Sequence, residues 1–541
     1  MDEPTIAEET EALDASPPAG DPARDQRVIL GNTGQNVVGL VIGALATFAA
    51  QVIMTRRLGD EGFGVVTLTT QFAFIAAAAT RFGMDVANVR LVAILVGRMQ
   101  SVRSRGLVLR SAGIAMAVSV PFALSALLLS PWLAETFSGQ PLVAEPAFRA
   151  AAATIPVAAL AFTYMGATRG LKIMRFTLYA QWFGQPIGWI VFTLALWAAI
   201  ATTPSVATWA FGVSWALALL IAWYGWRKES TRFPDAVADG VESGIPEERT
   251  GALLRFGALR APATLFSQLI SWTDFFVLSI LWSGQGVEGA AVTGVYGAVL
   301  RAGQSLFLFL TSVSLTFSPF VADLHYQGRR DRLDELYKQV TRWTLGATIP
   351  VLLVLLVMPG EVLRIFGVAF VEGETALRIL AVGMIVPVMV GTVGFILIMA
   401  GRTGWDLLVY VAAFAIDVGI ASGLARPDAL GIEGAAIAQA STLTFSAVAR
   451  LYLVRRFLRI WPFEVEFARL IVPAIAGAAV MAVSNGLLPQ AEWLVNLVVS
   501  AGLGTLAYAV ALLAFGLKPA ERATLGRLAR KVLGRRPPAR V

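Results

Sequence analysis

Long apolar runs alternate with short charged connections from about residue 30 to residue 517. Runs of about 20 apolar residues are long enough to cross a bilayer as helices. They lack the ten-residue alternation of a membrane barrel. The pattern predicts about 14 spans, near 33–55, 62–84, 107–130, 147–168, 177–200, 207–226, 258–282, 292–320, 343–365, 376–400, 405–425, 432–454, 467–487 and 493–516. The expected fold class is all-α, a polytopic membrane protein, because helices satisfy their own backbone groups in lipid.

Charge tests this count. With the N-terminus inside, the even-numbered connections should be cytoplasmic and basic. Arg90, Arg98, Arg103, Arg105 and Arg110 follow span two, and Arg169, Lys172 and Arg175 follow span four. Arg329, Arg330, Arg332, Lys338 and Arg342 follow span eight, and Arg450, Arg455, Arg456 and Arg459 close span twelve. The odd connections are nearly bare: ETFSGQPLVAEP, ATTPSVAT, SGQGVEGAAV and PQAEW hold no Lys or Arg. One missed span would invert everything downstream, so an even count with both termini cytoplasmic is expected.

The organisation follows. An acidic, disordered tail is expected over 1–27, with no removable signal peptide, then a first six-helix lobe over 28–226. A charged, Pro/Gly-containing cytoplasmic linker covers 227–255. A second six-helix lobe covers 256–460, a terminal helix pair 461–517, and a basic cytoplasmic tail 518–541. Two duplicated lobes are a common transporter plan. The tail is amphipathic and should lie on membrane lipids of the anionic inner leaflet; it leaves open the docking of a polysaccharide polymerase or glycosyltransferase.

Composition agrees: 57% of residues are hydrophobic and 15% charged, where a soluble chain carries roughly 25% charged residues. There is no cysteine, which excludes disulfides and thiolate chemistry, and the one histidine, His325, reads as a solvated loop residue. The net charge of +7 is explained by topology and gives no reason to expect nucleic acid. No Walker lysine loop, zinc-helix motif or glycine-rich strand-to-helix turn is present. No enzymatic activity and no cofactor are expected, so uphill work must draw on an ion or substrate gradient.

Several stretches together resemble a known family. QVIMTRRLGDEGFGVVTL, WTDFFVLSILWSG with GVYGAV, SPFVADLHYQGRRDRLDELYKQVTRW and GIEGAAIAQA are similar, in order and spacing over roughly 28–517, to the polysaccharide-transport (Wzx-type) flippases of lipid-linked oligosaccharides. These belong to the multidrug/oligosaccharidyl-lipid/polysaccharide exporter (MOP) superfamily. The resemblance implies two six-helix lobes around a cavity that opens alternately to each side of the inner membrane. It implies undecaprenyl-diphosphate-linked oligosaccharide as cargo. A cation- or proton-coupled drug antiporter of the same superfamily and a lipid II flippase are the alternatives, and a membrane scaffold for glycan synthesis is a further one.

Charges inside spans mark candidate chemistry, because each costs at least ~2.5–3.5 kcal/mol at mid-membrane on insertion scales. Arg301 should lie roughly 13 Å below the outer start of span eight, with Asp274 on span seven and Asp417 on span eleven at a similar depth. Arg301, Gln304, Ser305, Ser312 and Thr316 share one helical stripe; Thr264, Gln268, Ser271 and Asp274 form another. Two readings stand together. Arg301 and Asp274 neutralise each other structurally, or Arg301 grips a diphosphate bidentately while Asp274 or Asp417 takes H+ or Na+. A desolvated carboxylate favours its neutral form, which makes proton coupling chemically reasonable. In the first lobe, Arg81 either faces the inner cavity mouth or snorkels to the interface. The candidate substrate-binding set is Arg301, Gln304, Asp274, Gln268 and Arg81, and the ion-coupling set is Asp274 and Asp417. Trp182, Trp189, Tyr164 and Trp272 are packing residues first and sugar-stacking candidates second. Span prolines Pro156, Pro186, Pro262, Pro319, Pro350 and Pro387 permit kinks.

Overall fold

The computed structural model describes residues 22–233, 249–307, 310, 321, 329–400, 402–488 and 492–516. The expected stripe residues Ser312 and Thr316, Pro319, His325 and the basic tail lie outside these residues.

The described chain is helical. The first lobe comprises α1 (Pro22–Thr80), α2 (Met84–Gly97), α3 (Ser101–Leu128), α4 (Ser130–Phe137), α5 (Pro141–Gly170), α6 (Arg175–Ala199) and α7 (Pro204–Ser230). The 59-residue α1 holds spans one and two, divided at Gly59. Its φ of 71° is open to glycine without a Cβ penalty, so the LGD turn breaks the helix there. The second lobe comprises α8 (Thr250–Leu269), α9 (Thr273–Trp282), α10 (Val287–Gln304), α11 (Arg330–Val357), α12 (Pro359–Arg364), α13 (Ala369–Val390), α14 (Val393–Met399), α15 (Thr403–Leu424) and α16 (Ile432–Leu458). The terminal pair is α17 (Val465–Leu487) and α18 (Trp493–Gly516).

Among the described residues, 11 helices are long and apolar enough to cross a membrane, or 12 with α8 and α9 as one span bent by 64°. One of these is the stretch that Gly59 divides into two. The remaining expected span, the eighth, is regular helix through Gln304.

Helix α5 is the axis of the first lobe. Its alanines at 144, 147, 150, 151, 152, 158, 159, 161 and 167 are all buried, and small side chains let neighbouring backbones approach closely. Asn88 on α2 is fully buried; its Nδ2 donates to the Thr163 carbonyl at 3.1 Å and its Oδ1 accepts from Ser111 at 2.7 Å. One amide therefore ties α2, α3 and α5 together. Thr69 and Thr208 hydroxyls join α1 to α7 at 3.1 Å. The terminal pair crosses at Gly477 and Gly504 and is anchored to α11 by Tyr508 Oη donating to the Gly346 carbonyl at 2.8 Å.

Pro387 follows a helix break at Met384, where its missing N–H removes the bond to Gly383, but the other described span prolines mark no sharp bend. Pro156, Pro262 and Pro350 sit inside continuous helices, whereas breaks fall at Gly59 and at Ile270–Trp272. Glycine geometry and a local unwinding supply the bends there.

Candidate functional site

The lobes touch at both ends of the helical bundle. At the end carrying the bare connections, α1 meets α10 backbone to backbone. A Cβ on Gly64 would lie 2.5 Å from the Ala290 carbonyl and 2.9 Å from the Gly294 nitrogen. Beside this contact, Arg56 Nε and Nη2 donate to the carbonyls of Ile365 (3.0 Å) and Arg364 (2.8 Å), which leave α12 without helical partners. At the opposite end, the reversal after α1 at Phe82 and Gly83, both at positive φ, abuts α8. Phe82 packs on Gly257, and a Cβ on Gly83 would stand 2.9 Å from Arg260 Cγ.

Arg301 lies between these two contacts. Gly294 and Gly297 face α1, and Arg301 follows at spacings of seven and four, so it prolongs the face of α10 turned toward the first lobe. The guanidinium is half-buried, stacked 4.5 Å from the Trp272 ring centroid, with Nη1 3.4 Å from Gln304 Oε1. Stacking on an indole suits guanidinium, which is weakly hydrated and planar. Arg301 Nε is buried without an acceptor, and no carboxylate lies within ion-pair distance among the described residues.

The expected pairing of Arg301 with Asp274 at one depth is therefore corrected. Asp274 accepts a hydrogen bond from the Tyr296 hydroxyl, five residues before Arg301, or roughly 7.5 Å along the helix. The cause is the turn: α10 begins at Val287, directly after Ser283–Gly286, earlier than the apolar run suggested. The stripe Thr264, Gln268, Ser271 and Asp274 is also corrected. The unwinding at Ile270–Trp272 and the 64° bend break its helical phase. Gln268 stays half-buried on α8, while Asp274 is fully buried in the first turn of α9. A carboxylate is favoured there by the helix dipole.

Asp274 and Asp417 do come together. Asp417, on α15, is fully buried, and its polar neighbours are the Asp274 backbone and Thr442 of α16. Asp274 Oδ1, Ser279 Oγ and Gln439 Oε1 are buried without partners, and both Asp417 oxygens lack a hydrogen bond of normal geometry. Two carboxylates with unmet oxygens beside a broken helix can hold a cation or share a proton.

In the first lobe Arg81 neither snorkels nor stands alone. Its Nε lies 3.3 Å from Asp85 Oδ1 and its guanidinium 4.6 Å from the Phe162 ring, with Arg169 close by. The aromatic candidates follow the packing reading where contacts are seen: Trp189 donates to the Ala207 carbonyl at 3.1 Å, and Trp272 carries Arg301. Sequence reasoning missed Arg260, whose Nε is also buried without an acceptor. Only its position one helical turn past the connecting segment, inside an apolar run, could have flagged it.

Residues 40–194 match the MatE family model. Stage V sporulation protein B of Bacillus subtilis (strain 168) is 22% identical over 455 residues, covering 80% of this chain and 85% of that protein. Among solved structures, lipid II flippase MurJ in an inward closed conformation superposes with a TM-score of 0.64 at 12% identity, over 89% of this chain and 98% of that one. An inward-facing multidrug resistance MATE family transporter gives 0.61 at 16% identity, over 78% and 98%. A Pyrococcus furiosus transporter, described by the reverse polarity of its binding pocket, gives 0.60 at 16% identity, over 81% and 96%. With its MatE match over residues 40–194, this chain has the fold that these multidrug and lipid II transporters share.

Proposed function

We propose that this protein is a flippase moving a polyprenyl-diphosphate-linked oligosaccharide, of the undecaprenyl type, across the cytoplasmic membrane by alternating access. The product would serve O-antigen, capsule or exopolysaccharide synthesis, with both chain termini on the cytoplasmic side. The observation that carries this reading is Arg301: a guanidinium on the interlobe face, held flat by Trp272 and left without a carboxylate. An anionic headgroup supplies what it lacks, and a planar fork suits phosphate oxygens. Gln304 steadies it from one turn away. In this reading Arg81, once released from Asp85, together with Gln268 and Arg260, supplies further donors for phosphate or sugar hydroxyls. Asp274 and Asp417 form a coupling site for Na+ or H+, away from the headgroup, so cargo charge and coupling charge are separated.

The drug-antiporter alternative draws on the MatE match, the multidrug transporter fold and this acidic pair, and Arg301, a cation without a carboxylate, stands against a cationic cargo. The test is complementation in a strain dependent on export of a lipid-linked glycan. Arg301→Ala should abolish export while the protein inserts at normal level, and Arg301→Lys should restore part of it. Full export by Arg301→Ala, or robust transport of cationic dyes by the wild type, overturns the proposal.

A further inference from the structure

A cavity of about 270 Å³ lies in the second lobe, between the break separating α13 from α14, the faces of α15 and α16, and Phe307 and Leu310 just beyond α10. Most of its wall is apolar, including Phe307, Phe395 and Leu443. One corner is not. Arg450 is fixed there from several directions. Its Nε donates to Asp406 at 2.7 Å, its Nη1 donates to Ser446, and its guanidinium stacks 4.4 Å from the Tyr410 ring centroid. Gly394 forms the floor, where a Cβ would stand 3.5 Å from Arg450 Nε. With the side chain so held, Nη2 remains buried without an acceptor, and the hydroxyl of Thr392, which lines the same cavity, is buried without a partner. Arg450 and Asp406 pair with each other beside Tyr410, and Arg260 on α8 adds a further positive charge nearby. A guanidinium edge and a hydroxyl without partners, beside a further positive charge and an apolar wall, lack one kind of group: an oxyanion attached to a short apolar body.

We propose that this cavity binds the oxyanion end of a small amphipathic anion. Arg450 Nη2 and the Thr392 hydroxyl hold the head, and the apolar wall takes the adjoining carbons. Asp406 keeps the guanidinium in register. The site does not include Arg301 and does not depend on the flippase reading.

The head can belong to a membrane lipid or to a soluble compound, and two arms separate these. Purified protein in detergent is titrated with butyl phosphate and with inorganic phosphate by calorimetry. Protein in nanodiscs containing phosphatidic acid, or phosphatidylcholine alone, is examined by native mass spectrometry for retained lipid. Saturable binding in either arm is expected, naming the source, with butyl phosphate stronger than inorganic phosphate. Thr392→Val and Arg450→Lys, each retaining its thermal transition, should weaken it about tenfold, while Arg301→Gln should not. The proposal is overturned if no probe binds saturably, if binding survives both substitutions, or if it falls with Arg301→Gln instead.

Discussion

The contact between Gly64 and Gly294 sets a measurable energy on one gate. Gly64→Ala places a methyl 2.5 Å from the Ala290 carbonyl and 2.9 Å from the Gly294 nitrogen, both main-chain atoms that cannot rotate aside. The helices must separate by roughly 0.5–1 Å to restore ordinary contact. Overpacking of this kind costs typically about 1–3 kcal/mol. Because the clash exists only where α1 touches α10, the closed arrangement bears this cost and an arrangement parted at this end does not. The closed-to-open ratio at this end should fall about 5- to 150-fold. The chain has no cysteine, so a single probe needs no background correction. Thr67, which packs against Gly297 just inward of the pair, is buried. Thr67→Cys should react slowly with a membrane-impermeant maleimide from the face bearing the bare connections. Adding Gly64→Ala should raise that rate at least fivefold without loss of folded protein. Arg56→Ala, which removes the two bonds to the Arg364 and Ile365 carbonyls, should act in the same direction and more weakly. An unchanged rate in folded Gly64→Ala protein would refute the claim that this contact is a gate.

Two further outcomes follow from buried polar groups. Asp417→Asn, and separately Asp274→Asn, should remove the response of transport to an imposed Na+ or pH gradient while leaving insertion intact, measured in proteoliposomes with each gradient applied in turn; retained gradient dependence in both variants would dissociate the pair from coupling. Asn88→Ala should lower stability by about 1–3 kcal/mol, because it removes the two buried hydrogen bonds that join α2 to α3 and α5; thermal unfolding in detergent reads this directly, and an unchanged transition would show that the three-helix tie is idle.

Hydropathy and charge determined the span pattern of this protein. A helix needs a fixed length of apolar residues to cross lipid, and basic connections alternate because translocating them is unfavourable. Both are one-dimensional properties, so the apolar runs and the alternation of basic and bare connections are legible without coordinates. The sequence also marked Arg301, Asp274 and Asp417 as costly charges inside apolar runs. What it could not supply was their grouping. Whether Asp274 faces Arg301 or Tyr296 depends on where α10 starts after a four-residue turn, and a shift of five residues moves a partner by roughly 7.5 Å. The unwinding at Ile270–Trp272 then turns Asp274 into the second lobe beside Asp417 and leaves Trp272 under Arg301. Arg450 and Thr392 read as a basic connection residue and a span residue until the break at Gly391 brings them to one cavity. Composition places charge in the membrane, but only the packing of bent helices decides which charges meet.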